Sequence, residues 1–509
     1  MINNIFLPES FQKYFSEEEK LLTWTWESGH NPMPVTPLSQ DIQKLTTEIG
    51  ASKANEYFGR SNKSLKKIIN GYTYYATSNK TTSKNNLNDS YSENLNQKWN
   101  DDFLPEILKD LDTMKSKLNL IEDINSSLKI IDELITIHQR HWNIHMQIVI
   151  PLHDYTDDFF QFIKSFNADY KLSNLYDLFK GIKNKTVELD ENLYKLKKLY
   201  DSLANTNSDE KILIGIEKFN EKYGYRAVGF DLADDIWKDN KNIVLNILKS
   251  LPLSVFENKI SELSRMGNED RLINDVLSFI TGENNKNKFH NMYLTLRSIW
   301  NLKEDHSFYI DQYSSALISL AFRKLGTILV EQKYIQQNTD IFHLNYETIK
   351  SLNSDTLVND ILQSINENKT SIEYHKNSTP PKFLGLIPST HIEGNSNEFS
   401  ERLKQLKGTP ASNGKITGVA KIIKKFEDSS KLEQGDIMVC ISTNPSWTPL
   451  FGIVSGIICE NGGTLSHTAI VAREYEIPTI LDANNATNII KDNDIIEING
   501  DTGVISFLN

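Results

Sequence analysis

Cysteine is nearly missing from this chain: Cys440 and Cys459 are the two in 509 residues. Two thiols cannot build a disulfide framework, nor a zinc site by themselves. Both lie in apolar, strand-like runs, where a buried free thiol is a simpler reading than a redox pair. Long hydrophobic runs are missing as well. No stretch of roughly 18 apolar residues occurs, so no membrane span is expected. The opening Met1-Ile2-Asn3-Asn4-Ile5-Phe6-Leu7-Pro8-Glu9-Ser10 lacks the basic start and apolar core of a secretory signal. A cytoplasmic location is the resulting expectation. Positive charge is short too. A formal charge of −12 opposes the basic face that a nucleic-acid backbone demands, and mainly serves solubility.

What is present divides unevenly. The length allows about two to four domains. Ten of the 23 glycines fall in residues 408–509, so a long helical part precedes a short part of strands and tight turns. Residues 12–70 carry helical stretches on either side of His30-Asn31-Pro32-Met33-Pro34-Val35-Thr36-Pro37-Leu38, whose prolines impose an extended loop. Residues 78–97 are almost wholly polar, which predicts a mobile loop. From about 101 to 370 the apolar positions recur at helical spacing. Examples are Leu104, Ile107, Leu108, Leu111 and Met114, and later Leu317, Leu320, Ala321, Leu325 and Ile328; these are core faces. Residues 371–404, with Ser378-Thr379-Pro380-Pro381, read as a linker. Some 30 flexible residues would reach roughly 30 Å. Beyond it, Ile416–Ile423, Asp436–Ile441, Gly452–Cys459, Pro478–Leu481, Ile495–Ile498 and Val504–Phe507 are expected strands. A helix is expected from Thr468 to about Glu476.

The stretch Glu460-Asn461-Gly462-Gly463-Thr464-Leu465-Ser466-His467-Thr468-Ala469-Ile470-Val471-Ala472-Arg473-Glu474 carries the chemistry. It is an apolar strand, a glycine turn, then a histidine at the mouth of a helix. Gly463 allows close approach of a ligand. Thr464 and Ser466 can cap the helix and donate hydroxyls to phosphate oxygens. Free N–H groups at a helix N-terminus attract anions, and a histidine there offers a nucleophilic nitrogen beside them. Arg473, about two turns on, is a second phosphate contact. On spacing alone, a capped and partly buried histidine without chemistry is the plainer reading.

Residues 462–474 resemble the phosphohistidine signature of the phosphoenolpyruvate-utilising enzymes, which include phosphoenolpyruvate synthase, pyruvate phosphate dikinase and rifampin phosphotransferase. The likeness extends upstream through Gly408-Thr409-Pro410-Ala411-Ser412-Asn413-Gly414, Gly435-Asp436-Ile437-Met438-Val439 and Thr443-Asn444-Pro445-Ser446-Trp447-Thr448-Pro449-Leu450. Downstream it includes Glu476-Ile477-Pro478 and Asn499-Gly500-Asp501-Thr502-Gly503. Asn444 stands where that family commonly has an acid. The resemblance implies a mainly α-helical N-terminal region, residues 1–370, that binds an acceptor. A linker, 371–404, and a C-terminal α/β swivelling phosphohistidine domain, 405–509, would follow. His467 would be the catalytic phosphoryl carrier, supported by Gly463, Thr464, Ser466 and Arg473.

Upstream, Trp24-Thr25-Trp26 with Pro34-Val35-Thr36-Pro37-Leu38, and Tyr223-Gly224-Tyr225-Arg226 with Asp231-Leu232, are similar to the acceptor domain of the rifampin phosphotransferase and phenylphosphate synthase branch. Tyr225 replaces the usual histidine there. His138, His141 and His145 fall on one helix face and could line the acceptor pocket, act as a base, bind a metal, or simply form a polar helix face. No metal site is expected, since no companion carboxylate sits at a ligand-like spacing. His30, Arg226 and Arg297 are further acceptor-side candidates, the arginines being equally suited to structural ion pairs. No glycine-rich nucleotide loop precedes Trp26. The resemblance therefore implies a separate ATP-grasp partner that binds magnesium and ATP, charges His467, and releases AMP and phosphate. A small molecule would be the acceptor, with neither nucleic acid nor membrane as partner. An ATP-driven condensing enzyme of a natural-product pathway, or a non-catalytic regulatory module, are the alternatives.

Overall fold

The computed structural model describes residues 5–60, 64–77, 89–170, 175–203, 209–253, 269–352, 357–378, 380–388, 405–464 and 466–508. Its N-terminal part is mostly helical and its C-terminal part is rich in strands. The long helix Ile124–Lys164 organises the first part. Asp123 opens it with a capping box, its carboxylate accepting the Ser126 N–H at 3.0 Å, which satisfies one of the unpaired first-turn donors. At 41 residues it runs about 60 Å. Its buried face, from Ile131 and Leu134 through Ile148 to Phe159 and Ile163, is the spine of the main core. Consecutive helices over Glu283–Glu331 are long and apolar enough by composition to cross a membrane, yet over half of their most apolar window is buried inside the protein.

An antiparallel sheet in the N-terminal part corrects the expectation of helical stretches throughout residues 12–70. Strands β1 (Ile5–Phe6), β2 (Thr23–Trp26), β3 (Ser64–Ile69), β4 (Tyr72–Thr77) and β5 (Phe383–Leu386) lie in the order β1-β5-β2-β4-β3. Asn70 and Gly71 both have positive φ and form the hairpin turn between β3 and β4. Trp24, Tyr72, Tyr74 and Leu384 pack one face of this sheet into a separate small core. β5 also corrects the linker. Residues 371–376 finish the helix Val358–Lys376, and 383–386 pair with β2. The unpaired backbone groups of β2 overrode a segment with little periodicity of its own. Residues 389–404 of that segment lie outside the described residues. The polar stretch 78–97 is corrected in part as well: 89–93 and 95–98 are helical and Leu95 is fully buried, while 78–88 lie outside the described residues.

The C-terminal part is one sheet of eight strands. These are β6 (Gln405–Lys407), β7 (Thr409–Ser412), β8 (Lys415–Ile423), β9 (Ile437–Cys440), β10 (Gly456–Cys459), β11 (Thr479–Leu481), β12 (Ile495–Asn499) and β13 (Val504–Phe507). Their order is β6-β13-β12-β8-β9-β10-β11-β7, with β8, β9, β10 and β11 parallel and the flanks antiparallel. β9 and β10 are buried at every residue, the continuous apolar pattern that covered parallel strands require. The helix His467–Glu474 connects β10 to β11 across the face that meets the helical part. Short β6 and β7 carried no alternation that would announce them.

Candidate active site

His467 is the first residue of its helix. Gly462, with φ of 130°, makes the preceding turn in a conformation that L side chains rarely adopt. Ser466 is the N-cap, its Oγ accepting the Ala469 N–H at 3.4 Å. Above Gly463 a β-carbon would meet nothing within 4 Å, so the loop leaves open space beside the histidine. Arg473 is almost fully buried. Its guanidinium donates to the Thr464 carbonyl at 2.7 Å and stacks 3.8 Å from the Tyr176 ring centroid. Tyr176 in turn donates to the Thr464 hydroxyl at 3.3 Å. Arg473 thus holds the loop in place rather than reaching past His467.

The imidazole sits at the seam between the two parts of the chain. Nδ1 lies 3.2 Å from Glu304 Oε2 and 3.3 Å from Oε1. Nε2 lies 3.2 Å from the Thr448 hydroxyl, which donates to the Pro445 carbonyl at 2.8 Å. Glu304 is buried, and Thr186 donates to its Oε2 at 2.7 Å. Burial alone would raise this carboxyl; the charge and hydrogen bond of His467, with Thr186, more than reverse that and hold it at about 2. An ionised carboxylate only accepts, so it holds a proton on Nδ1 and orients the ring with Nε2 turned toward Thr448. Lys303 is adjacent, its ammonium 3.5 Å from the Trp300 ring centroid and without a hydrogen-bond partner. Burial, then the charge of Arg473, pulls it down to about 7.

Contacts across the seam are polar and specific. Trp447 Nε1 donates to the Val228 carbonyl at 2.9 Å and Arg226 Nη1 donates to the Pro445 carbonyl at 3.1 Å. Tyr475 donates to Asp190 at 2.9 Å, and Lys382 pairs with Asp482 at 2.7 Å. Asn444 Oδ1 accepts the Ser446 N–H at 2.9 Å, capping the turn that presents Thr448. An amide at this position therefore has a structural use.

A cavity of about 330 Å³ lies in the helical part and is closed on one side by Asn444, Pro445 and Ser446. Of the acceptor-side candidates, His30, His138 and His145 line it. His30 is the most exposed of them and pairs with Glu27 at 2.9 Å. His138 is committed: its Nε2 accepts from Trp142 at 3.0 Å and its Nδ1 meets Ser314 Oγ at 2.8 Å. Burial, then His141, pushes its pKa down to about 3, so the ring is neutral. The other three candidates do not line it. His141 is fully buried between Ser314 and Asp110. Arg226 lies under the seam against Phe308 and Trp237. Arg297 pairs with Glu269 and donates to the Leu178 carbonyl. Asp311, distant in the sequence, brings its Oδ1 to 2.8 Å from His145 Nδ1. Sequence reasoning did not single out Glu304, Thr448 or Asp311 as site residues. Thr448 stood inside a block that carries the resemblance, and none of the three had a local signal.

Residues 432–503 match the model of the phosphoenolpyruvate-utilising enzyme mobile domain. An uncharacterized phosphotransferase of Bacillus subtilis is 26% identical over 82% of this chain and 53% of its own length. A chondramide synthase of Chondromyces crocatus is 23% identical over 96% of this chain and 14% of its own. The rifampicin phosphotransferase of Bacillus cereus is 27% identical over 60% of this chain and 36% of its own. The chain spans about half or less of the length of these relatives.

Proposed function

From a C-terminal unit that belongs with the mobile domains of phosphoenolpyruvate-utilising enzymes, we propose that this chain is a phosphotransferase. In this reading His467 carries a phosphoryl group from an ATP-grasp partner to a small molecule in the helical part. The observation that carries it is the pairing of His467 Nδ1 with Glu304 at the seam, whose segment Asn444–Ser446 closes one side of the cavity. Away from the seam, at the partner, Nε2 attacks the β-phosphorus of bound ATP. The N–P bond forms as the bond to the AMP oxygen breaks; water then cleaves the resulting pyrophosphoryl group, leaving the β-phosphoryl on His467 and releasing phosphate. Backbone N–H groups at the helix mouth and the space above Gly463 receive the phosphoryl oxygens. In the second half, back at the seam, an acceptor hydroxyl attacks that phosphorus and gives up its proton to solvent, while the N–P bond breaks and Nε2 keeps the bonding pair.

Magnesium belongs with the nucleotide on the partner. The carboxylate paired with His467 does not suit it, since Glu304 is taken by His467 and Thr186. Magnesium takes oxygens in an octahedral set. The swivelling domain would move between the partner and the docked position, with the tether supplying millimolar effective concentration. The near-complete alignment with a chondramide synthase supports a second reading, in which acceptor phosphorylation drives a condensation. Intact mass after incubation with magnesium and ATP tests the first half, with and without the partner and beside His467→Ala. An acid-labile adduct that requires both partner and His467 is expected. Absence of any adduct, with the partner shown active, would refute the carrier role.

A further inference from the structure

We propose that His145, His306 and Asp311 form a binding site for a divalent transition ion of the zinc class, on the wall of the cavity. Their ligand atoms all lie within 4.8 Å of one another. Zinc bonds nitrogen and carboxylate oxygen at about 2.0–2.2 Å, which sets ligand separations of roughly 3.4 Å in a tetrahedron. His145 Nδ1 and Asp311 Oδ1, 2.8 Å apart, would open by about half an ångström, and the widest pair would close. Side-chain rotation supplies both movements.

Chain geometry explains the convergence. Positions 306 and 311 are five apart, which in an α-helix places them roughly 140° apart around the axis. Residues Ser307–Ser314 instead form a π-helix, whose i→i+5 turn returns the fifth residue toward the same face. His145 meets them from the long helix, its ring centroid 4.7 Å from that of His306. The tautomer of His306 is set as well. Nδ1 donates to the Leu302 carbonyl, leaving the Nε2 lone pair for an ion; a backbone carbonyl behind the ring is a common outer-sphere partner of a ligating histidine. The other two atoms lack a settled arrangement. His145 Nδ1 and Asp311 Oδ1 are buried and close, yet neither makes a well-aligned hydrogen bond. Such groups are costly unless something satisfies them, and a cation between them would.

Two imidazoles and a carboxylate suit zinc, cobalt or iron and disfavour magnesium. His145 and Asp311 both line the cavity, which supplies an entry path and leaves a fourth position for water or an oxygen of a bound small molecule. This inference stands apart from the phosphoryl-carrier reading, because it requires only that the helical part be folded.

The test is titration of the full chain, free of any affinity tag, with cobalt(II) and zinc. One equivalent of cobalt should bind, with the visible absorption of a four- or five-coordinate nitrogen–oxygen site. Asp311→Asn and His306→Gln should each weaken it by at least about 10–100-fold, the loss that even an outer-sphere change causes. Metal-free variants should keep the wild-type circular dichroism. X-ray absorption of the zinc-loaded wild-type protein covers the case in which a variant fails to fold: imidazole scattering with light oxygen neighbours is expected. No stoichiometric binding would overturn the site, as would binding that survives both substitutions in folded protein. Sulfur scattering, which would place the ion at Cys440 and Cys459, would overturn it equally.

Discussion

Glu304 and His467, 163 positions apart in the chain, meet with Oε2 3.2 Å from Nδ1. The carboxylate comes from the helical part and the imidazole from the sheet-rich part, so the docked arrangement decides which nitrogen of His467 reacts. Glu304→Gln keeps the shape of the side chain and removes its charge. It should slow phosphoryl transfer from phosphorylated His467 to acceptor on the order of 10²–10⁴-fold, the usual range for a group that governs proton position. Charging by the partner, which takes place away from Glu304, should change far less. Rapid-quench kinetics of the two half-reactions would show this split, and equal losses in both would refute it.

The two glycines before the histidine should behave oppositely. Gly462 has φ of 130°, so Gly462→Ala should destabilise the protein by about 1–3 kcal/mol through backbone strain. Gly463 has no such φ and open space around a β-carbon. Gly463→Ala should therefore leave the melting temperature within a degree or two, since no mechanism of destabilisation applies. Its methyl would occupy the space assigned to the phosphoryl group, and charging of His467 should fall. Thermal melts together with adduct formation by intact mass separate the two effects.

The turn before His467 was legible because its geometry is local. A glycine turn, a capping serine and a histidine at a helix mouth occupy six consecutive positions, 462–467, and their backbone geometry follows from residue type. The long helices were legible for the same reason: Ile107, Leu111 and Met114 repeat at helical spacing and are buried. Leu108, in the same stripe, is 43% exposed, which shows that periodicity finds the face but not its edge. What stayed hidden depends on distant pairing. β5 is a strand because β2 offers it partners, and Glu304 reaches the site because two parts of the chain dock. Asp311 was passed over because the π-helical turn that brings it beside His306 has no sequence signature.

Trp447 anchors the docked position. Its indole N–H is the donor to the Val228 carbonyl, in a buried part of the seam. Trp447→Phe keeps most of the apolar area and leaves that carbonyl without its partner, a cost of about 1–3 kcal/mol. Denaturant unfolding should show the loss. If the seam opens before the parts unfold, the variant should also become more readily cleaved by protease. Unchanged stability together with unchanged cleavage would mean that this contact does not hold the two parts together.

Acid should release the same seam through Glu304. Its carboxyl is held at about 2 against an ordinary value of 4.5, so the folded state binds its proton less readily than the unfolded chain does. The resulting stabilisation is complete above about pH 4.5 and disappears as the pH falls through about 2. For a buried group, a shift of this size corresponds to something on the order of 3 kcal/mol. Glutamine cannot ionise and lacks this dependence. Wild type should therefore exceed Glu304→Gln in stability most clearly above pH 4.5, and the two curves should converge toward pH 2. Urea denaturation of both proteins across that window measures the difference directly. A gap that stays constant, or widens, as the pH drops would show that the carboxylate is not held in its charged form by His467.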